Sequence, residues 1–284
     1  MAGDPTMAFE RLEPGDLGGI VDLIARTLPD ERLSTAELDR ALFGADQPAV
    51  VRGDPTIGAV ATVRAVDDDR HGFIRLLAVD PDHRSRGVGR ALLAAAEADL
   101  SGATSITVGA DAPFFLFPGV PVEQTAMLVL LERARYERAE SNFNMTASLD
   151  QLADDPGAAD LAGPAVADEV RAFVDGNYPH WTAEVMRALA QGSLLVSRDD
   201  DGALLGFCAL EVNRAGLLGP IAVRLDRLGR GDGGPLLLGG LHRLRAGGLA
   251  SVQVCWVGPI PPYARVGGEV SRVFFVYRKR VSTT

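Results

Sequence analysis

The chain has 284 residues, 47% of them hydrophobic, with 28 basic against 38 acidic side chains and a net charge of −10. That balance argues against a nucleic-acid partner, and no apolar run reaches the ~20 residues a membrane-spanning helix needs. The acidic N-terminus, MAGDPTMAFERLEPGD, predicts no signal peptide and a cytoplasmic chain, and Cys208 and Cys255 sit in apolar strand-like runs without metal-ligand spacing.

In chain order, residues 15–27 and 34–43 predict two helices, the first with Ile20, Leu23 and Ile24 on one face. Residues 50–52 and 57–66 predict a hairpin across Gly53-Asp54-Pro55. A strand ending in Leu77-Ala78-Val79 leads through an Arg/Gly loop into a helix over 90–100, and a further strand covers 105–109. An aromatic loop at 114–121, a helix at 125–134 and a hairpin or strand pair at 136–149 follow. Asp154-Asp155-Pro156-Gly157 is the expected linker. The second half repeats the order, with helices at 164–175 and 181–191, strands at 194–197, 204–211 and 217–223, a helix at 235–246, a strand at 251–257, a short helix at 262–266 and a strand at 273–278. Mixed strands and helices with one crossover helix per half predict an α/β (α+β) fold of two domains, 1–150 and 151–284.

Residues 74–93, IRLLAVDPDHRSRGVGRALL, carry the strongest chemical signal. Glycines at 87 and 89 let backbone approach a ligand, and the first N–H groups of the following helix have no partner within it. The helix dipole and the charges of Arg84 and Arg86 add to the pull on phosphate. The loop reads as a pyrophosphate site; the plainer alternative is a strand-to-helix turn with surface arginines. A dinucleotide fingerprint would need a third glycine where Leu92 stands, and an NTPase loop needs a lysine, whereas the only lysine is Lys279. What remains is R-x-x-G-x-G, filled by Arg84, Gly87 and Gly89. Residues 218–237, LGPIAVRLDRLGRGDGGPLL, align on this segment without gaps, Gly231 standing 144 residues after Gly87. So long a period predicts a duplicated domain, not a solenoid.

Strand, proline, arginine, glycines and helix in this register closely resemble the acetyl-CoA loop of the GCN5-related N-acetyltransferase (GNAT) family. The resemblance implies two tandem GNAT-like domains, each a twisted mixed, mostly antiparallel sheet flanked by helices, with acetyl-CoA as co-substrate. In the first half the implied cofactor contacts are Leu77, Ala78, Val79, Arg84, Ser85, Arg86, Gly87, Val88, Gly89 and Arg90. In the second they are Ile221, Ala222, Val223, Arg230, Gly231 and Gly233. The implied reaction moves an acetyl group to a primary amine of a small molecule or peptide, by direct attack in a ternary complex. Two other readings stand beside it: an acyl-CoA-binding protein without turnover, and transfer of a different acyl group.

The halves differ. Pro261-Pro262-Tyr263-Ala264-Arg265-Val266-Gly267 resembles the family segment that carries the acid for the departing thiolate, with Tyr263 at the acid position. Tyr263 reads alternatively as a partly buried tyrosine. The matching residue of the first half is Leu131. Conversely, the second loop has Leu228 in place of Arg84 and Asp232 in place of Val88, so the first half has the better cradle and the second the better acid. A carboxylate facing a pyrophosphate is unfavourable. His180 and Trp181, Phe114, Phe115 and Phe117 with Pro118 and Gly119, and the possible bases Glu123 and Glu211 are further candidates around an acceptor. His71, His83 and His242 are scattered and form no metal constellation.

Overall fold

The structure, a computed structural model, describes residues 8–65, 68, 70–113, 116–150, 152, 157 and 159–281. The predicted linker residues 154–156 and the aromatic pair Phe114 and Phe115 lie outside the described residues. The chain divides into two compact units. One runs to Asn142 and takes in residues from Phe274 onward; the other spans Phe143–Val273.

The first unit contains β1 (Glu10–Leu12), α1 (Leu17–Thr27), α2 (Thr35–Phe43), β2 (Val50–Asp54), β3 (Gly58–Arg64), β4 (His71–Val79), α3 (Val88–Asp99), β5 (Ser105–Val108), β6 (Val120–Pro121), α4 (Thr125–Arg133) and the start of β7 (Glu137–Ser148). Its sheet runs β1-β2-β3-β4-β5 and closes with the end of the chain's last strand, residues 277–280, antiparallel to β5. Helix α1 buries Ile20, Leu23, Ile24 and Thr27, the one-face spacing of an amphipathic helix. Helix α2 opens on a capping box in which the Ser34 hydroxyl accepts from the Glu37 N–H and the Glu37 carboxyl accepts from the Ser34 N–H. These two helices pack their apolar faces with Val51, Ala61, Val63 and Ala78 on one side of the sheet. On the other side α3 and α4 bury Leu92, Leu93, Ala96 and Leu131 with Val60, Ile74 and Ile106.

The second unit repeats this plan with β8 (Asp160–Leu161), α5 (Ala167–Asn177), α6 (Thr182–Ala190), β9 (Leu194–Arg198), β10 (Leu204–Leu210), β11 (Leu217–Val223), α7 (Gly233–Ala246), β12 (Ser251–Val254), α8 (Ile260–Ala264) and the start of β13 (Glu269–Arg280). Its sheet runs β8-β9-β10-β11-β12 and closes with the second half of β7. Thus β7 and β13, equivalent in the repeat, each complete the other repeat's sheet. In both units only the β4–β5 and β11–β12 pairs among these are parallel, so each sheet is mixed and mostly antiparallel.

Glu137–Ser148 is one continuous strand and not the hairpin or strand pair expected over 136–149. The polar Asn142 and Asn144 are satisfied within the fold: Asn142 Nδ2 donates to the Pro118 carbonyl, and Asn144 bonds the Gln253 side chain and the Trp256 N–H. The strand expected over 251–257 ends at Val254, where Trp256 turns the chain with a φ of 51°. The edge strands β1 and β8 are too short to carry a sequence pattern.

Candidate active site

The two parallel strand pairs are short. His71 to Ile74 of β4 pair with Ser105 to Val108 of β5, and beyond that point β4 runs on alone on its β5 side. Arg75 is the extra residue of a β-bulge, since Ala61 pairs with Leu76 but Thr62 pairs with Ile74. After the bulge the pairing with β3 is regular, and the Asp80 N–H donates to Ile57 O at 2.9 Å. Backbone groups alternate along a strand, so the N–H and C=O of Leu77 and Val79 face the uncovered side. In the second unit β11 leaves β12 after Leu218, and the Arg224 N–H donates to Leu205 O. By the same alternation Ile221 and Val223 face the open side there. Pro220, which has no N–H, sits in the irregular stretch between the Leu218 and Ile221 pairings.

Each open strand leads through a single 3-10 turn into a glycine loop. In the first, Ser85 and Gly87 take left-handed φ values of 60° and 90°. Gly229 and Gly231 take 78° and 92° at the matching positions of the second. Helix α3 makes its first bond from the Ala91 N–H to Gly87 O, leaving the N–H groups of Val88, Gly89 and Arg90 ahead of it. A Cβ on Gly89 would lie 3.1 Å from Leu130 Cδ2 and 3.6 Å from Val79 Cγ2, so the glycine keeps the strand end and helix start close. Arg84, Ser85, Arg86 and Arg90 are exposed around this helix start, and Val88 is buried beneath it. Arg84 Nε donates to Val79 O at 3.2 Å.

The second loop keeps the backbone but not the charge pattern. Arg230 is exposed, and Asp232 stands at the N-cap of α7. Its carboxyl is held by Arg227, with Nε to Oδ2 at 2.8 Å and Nη2 to Oδ1 at 3.3 Å. Asp232 therefore carries a cation with it. Beside this loop the Tyr178 hydroxyl donates to Val223 O at 2.7 Å.

Tyr263 lies on α8, 9% exposed, in the core cluster that also takes in Cys208 and Ile221. Burial, with the nearby Cys208, pushes its hydroxyl up to about 12. Leu131 occupies the same register of the first unit and is fully buried. His180 is exposed and tilts against Trp181, whose ring stacks on Tyr178 with centroids 5.2 Å apart. Glu211 accepts from the Gly216 N–H at 2.7 Å and so ties its own loop, while Glu123 is exposed. Phe117 is buried and faces a cleft of about 500 Å³, counted with its open mouth.

That cleft is in the first unit, where β4 parts from β5. It is lined by Leu76, Leu77, Val108, Phe117 and Met127, with Leu28 and Glu31 from the turn after α1. Glu31 is 4% exposed. Its place in a 3-10 turn after Pro29 gave no sequence signal. Neither did the pair formed by the Arg75 guanidinium and the Asp111 carboxyl, both buried, with Arg75 also donating to Ala41 O and Gln47. Burial raises the Asp111 carboxyl above the usual range against the pull of Arg75. Among the described residues no group of His, Cys, Asp and Glu could hold a metal ion, and no helix is long and apolar enough to cross a membrane.

A strand open along one side, running through a glycine turn into the start of a helix, presents backbone groups of the kind that pair with an extended amide arm and a pyrophosphate. A profile of the acetyltransferase (GNAT) family matches residues 19–112. The mycothiol acetyltransferase of Clavibacter michiganensis subsp. michiganensis (strain NCPPB 382) is 33% identical, with 85% of this chain and 83% of that protein covered. That of Clavibacter sepedonicus is 30% identical over 88% of this chain and 86% of its own. The solved structure of a tandem GNAT protein from the clavulanic acid biosynthesis pathway shares the fold, with a TM-score of 0.69 at 17% identity over 98% of this chain and 99% of that one. The chain belongs to the GNAT family of acetyltransferases, as a tandem member.

Proposed function

We propose that the protein moves an acetyl group from acetyl-CoA to a primary amine of a small molecule or peptide, by direct attack within a ternary complex. The open side of β4 carries this reading. Leu77 and Val79 offer N–H and C=O groups to an amide-bearing arm, and Val88, Gly89 and Arg90 offer N–H groups to a pyrophosphate, with Arg84 and Arg86 adding charge. Acetyl-CoA supplies the activated acyl carbon. In this reading the Leu77 N–H donates to the thioester carbonyl as negative charge gathers on it.

Each predicted half, 1–150 and 151–284, has a cofactor site of its own, and the acid stands in the second. The first holds acetyl-CoA through residues 77–79 and 84–90. In the second, Ile221, Ala222 and Val223 with Arg230, Gly231 and Gly233 form the weaker cradle, and Tyr263 holds the proton that a departing thiolate needs. A hydroxyl pushed up to about 12 stays protonated across the physiological range and is available as an acid. The mycothiol acetyltransferase relatives favour a small-molecule acceptor. Titration with acetyl-CoA, followed by CoA release over a panel of amines, tests the proposal; a folded chain that binds no acetyl-CoA contradicts it.

A further inference from the structure

We propose that Arg75 and Asp111, a buried ion pair, are positioning residues of the first unit. Together they hold the one-residue bulge that turns the Leu77 N–H away from β3 and toward the thioester carbonyl. This rests on the reading of β4 as the acetyl-CoA strand.

The hydrogen bonds on either side of Arg75 carry the inference. The Gly109 N–H donates to Ile74 O at 2.9 Å, so the backbone groups of Ile74 face β5. The Asp80 N–H donates to Ile57 O at 2.9 Å, so those of Asp80 face the β3 side. Ile74 and Asp80 are an even number of residues apart, and in an uninterrupted strand they would face the same way. The alternation reverses between them, at the extra residue Arg75. In a strand continued regularly from Ile74, Leu76 and Ala78 would face the open side, and Leu77 and Val79 would face β3. The bulge therefore decides which backbone groups meet the cofactor.

Both side chains of the pair are 1% exposed. Arg75 Nε donates to the Asp111 carboxyl, Nη1 to Ala41 O near the end of α2 and to Gln47 O, and Nη2 to Gln47 Oε1 at 2.6 Å. These bonds tie the bulge to α2 on one side and to the chain leaving β5 on the other. A buried ion pair is often no more stabilising than apolar side chains of similar volume, so stability alone gives little reason for one here. Its charge-assisted bonds do fix a geometry. The second unit makes its bulge by other means. Gly219 stands 144 residues after Arg75, and Val257 stands where Asp111 does, counting from the matching strand ends Val254 and Val108. Between the Leu218 and Ile221 pairings Gly219 takes a φ of 126°, and Pro220 has no N–H to give a ladder. Backbone chemistry sets that bulge, and the ion pair sets the first.

The test compares acetyl-CoA with S-ethyl-CoA, a thioether that keeps the arm and the pyrophosphate and lacks the thioester carbonyl. Calorimetry reads the first unit's binding event, the one lost in Gly89→Glu. There the parent should prefer acetyl-CoA by about fivefold, the scale of one hydrogen bond. Arg75→Met combined with Asp111→Leu replaces the pair with apolar side chains and leaves no charge buried alone. This double variant should bind S-ethyl-CoA as the parent does and lose the preference for acetyl-CoA. If it does not fold, Asp111→Asn, which keeps an acceptor for Arg75, should reduce the same preference. A preference retained in the folded variant overturns the proposal, and so does an equal loss of both ligands, which marks a purely structural pair. A parent that binds both ligands alike rejects the proposal and the Leu77 contact but keeps β4 as the cofactor strand. A parent that binds neither rejects the assignment of β4 itself.

Discussion

The hydroxyl of Tyr178 donates to the carbonyl oxygen of Val223 at 2.7 Å, on the side of β11 that β12 leaves uncovered. In the first unit the matching carbonyl, Val79 O, receives the exposed Arg84 side chain at 3.2 Å. An arm pairing with β11 must compete with Tyr178, while one pairing with β4 displaces a solvated guanidinium. Tyr178→Phe keeps the ring stacked on Trp181 and frees the carbonyl. Acetyl-CoA binding at the second unit should then tighten by about fivefold, the scale of one hydrogen bond of ~1 kcal/mol. An isotherm identical to the parent's would show that Tyr178 and the ligand do not compete.

The pairing of Asp232 with Arg227 changes what a substitution there should do. Asp232→Val removes a carboxylate and also releases a cation beside the start of α7. Anion binding at that helix start should strengthen at low salt, and the gain should shrink as the salt concentration rises. Equal affinities for parent and variant at low ionic strength would mean that Arg227 does not reach the ligand.

Glu184 gives the fold a pH dependence. It is buried on α6, where desolvation pushes its carboxyl up to about 7 even though Asn213 Nδ2 donates to it at 2.7 Å and Arg187 lies near. The folded state holds the proton more tightly than the unfolded chain, whose value is near 4.5. This contribution to stability is fully present below pH ~4.5 and is lost as pH rises through about 7. Glu184→Gln retains an acceptor for Asn213 and removes the titration. It should raise stability at pH 8 by on the order of 2 kcal/mol and change little at pH 4. Urea unfolding at both values checks this; a variant no more stable than the parent at pH 8 would show that the carboxyl is ionised in the fold at little cost.

The parts of the fold legible in the sequence are the local ones. The glycine loops could be read because strand, turn and helix start lie within 20 consecutive residues and occur twice. Helices α1 and α3 announce themselves through the spacing of their buried residues. What could not be read depends on contacts distant in sequence. No local pattern says that Tyr277 to Arg280 pair with Val108 to Ser105, or that β7 serves the second unit's sheet. The slot along β4 exists because β5 stops pairing at Val108, and the length of β5 shows nothing of that by itself. Glu31 lines the cleft from a turn 40 residues before the start of β4 at His71. Asp232 looked repulsive in isolation because its partner Arg227 comes from the preceding 3-10 turn.

Tyr263→Phe removes one oxygen from a ring packed beside Cys208 and Ile221, so the core should survive. With an amine that the parent enzyme turns over, kcat should fall on the order of a hundredfold, with little change in acetyl-CoA affinity. Leu131→Ala, at the matching place in the first unit, should cost about 2–5 kcal/mol of stability as a buried cavity and act on rate only through folding. Parental turnover in Tyr263→Phe would move the chemistry to the first unit's cleft.

The central claim is that acetyl-CoA lies along β4 and ends at the start of α3. Gly89→Glu tests it most directly, since it places a carboxylate at that helix start, against Leu130 and Val79. Calorimetric titration of the folded variant with acetyl-CoA should lack the binding event that the parent shows at its tighter site. A folded Gly89→Glu protein with the parent's stoichiometry and affinity would contradict the assignment.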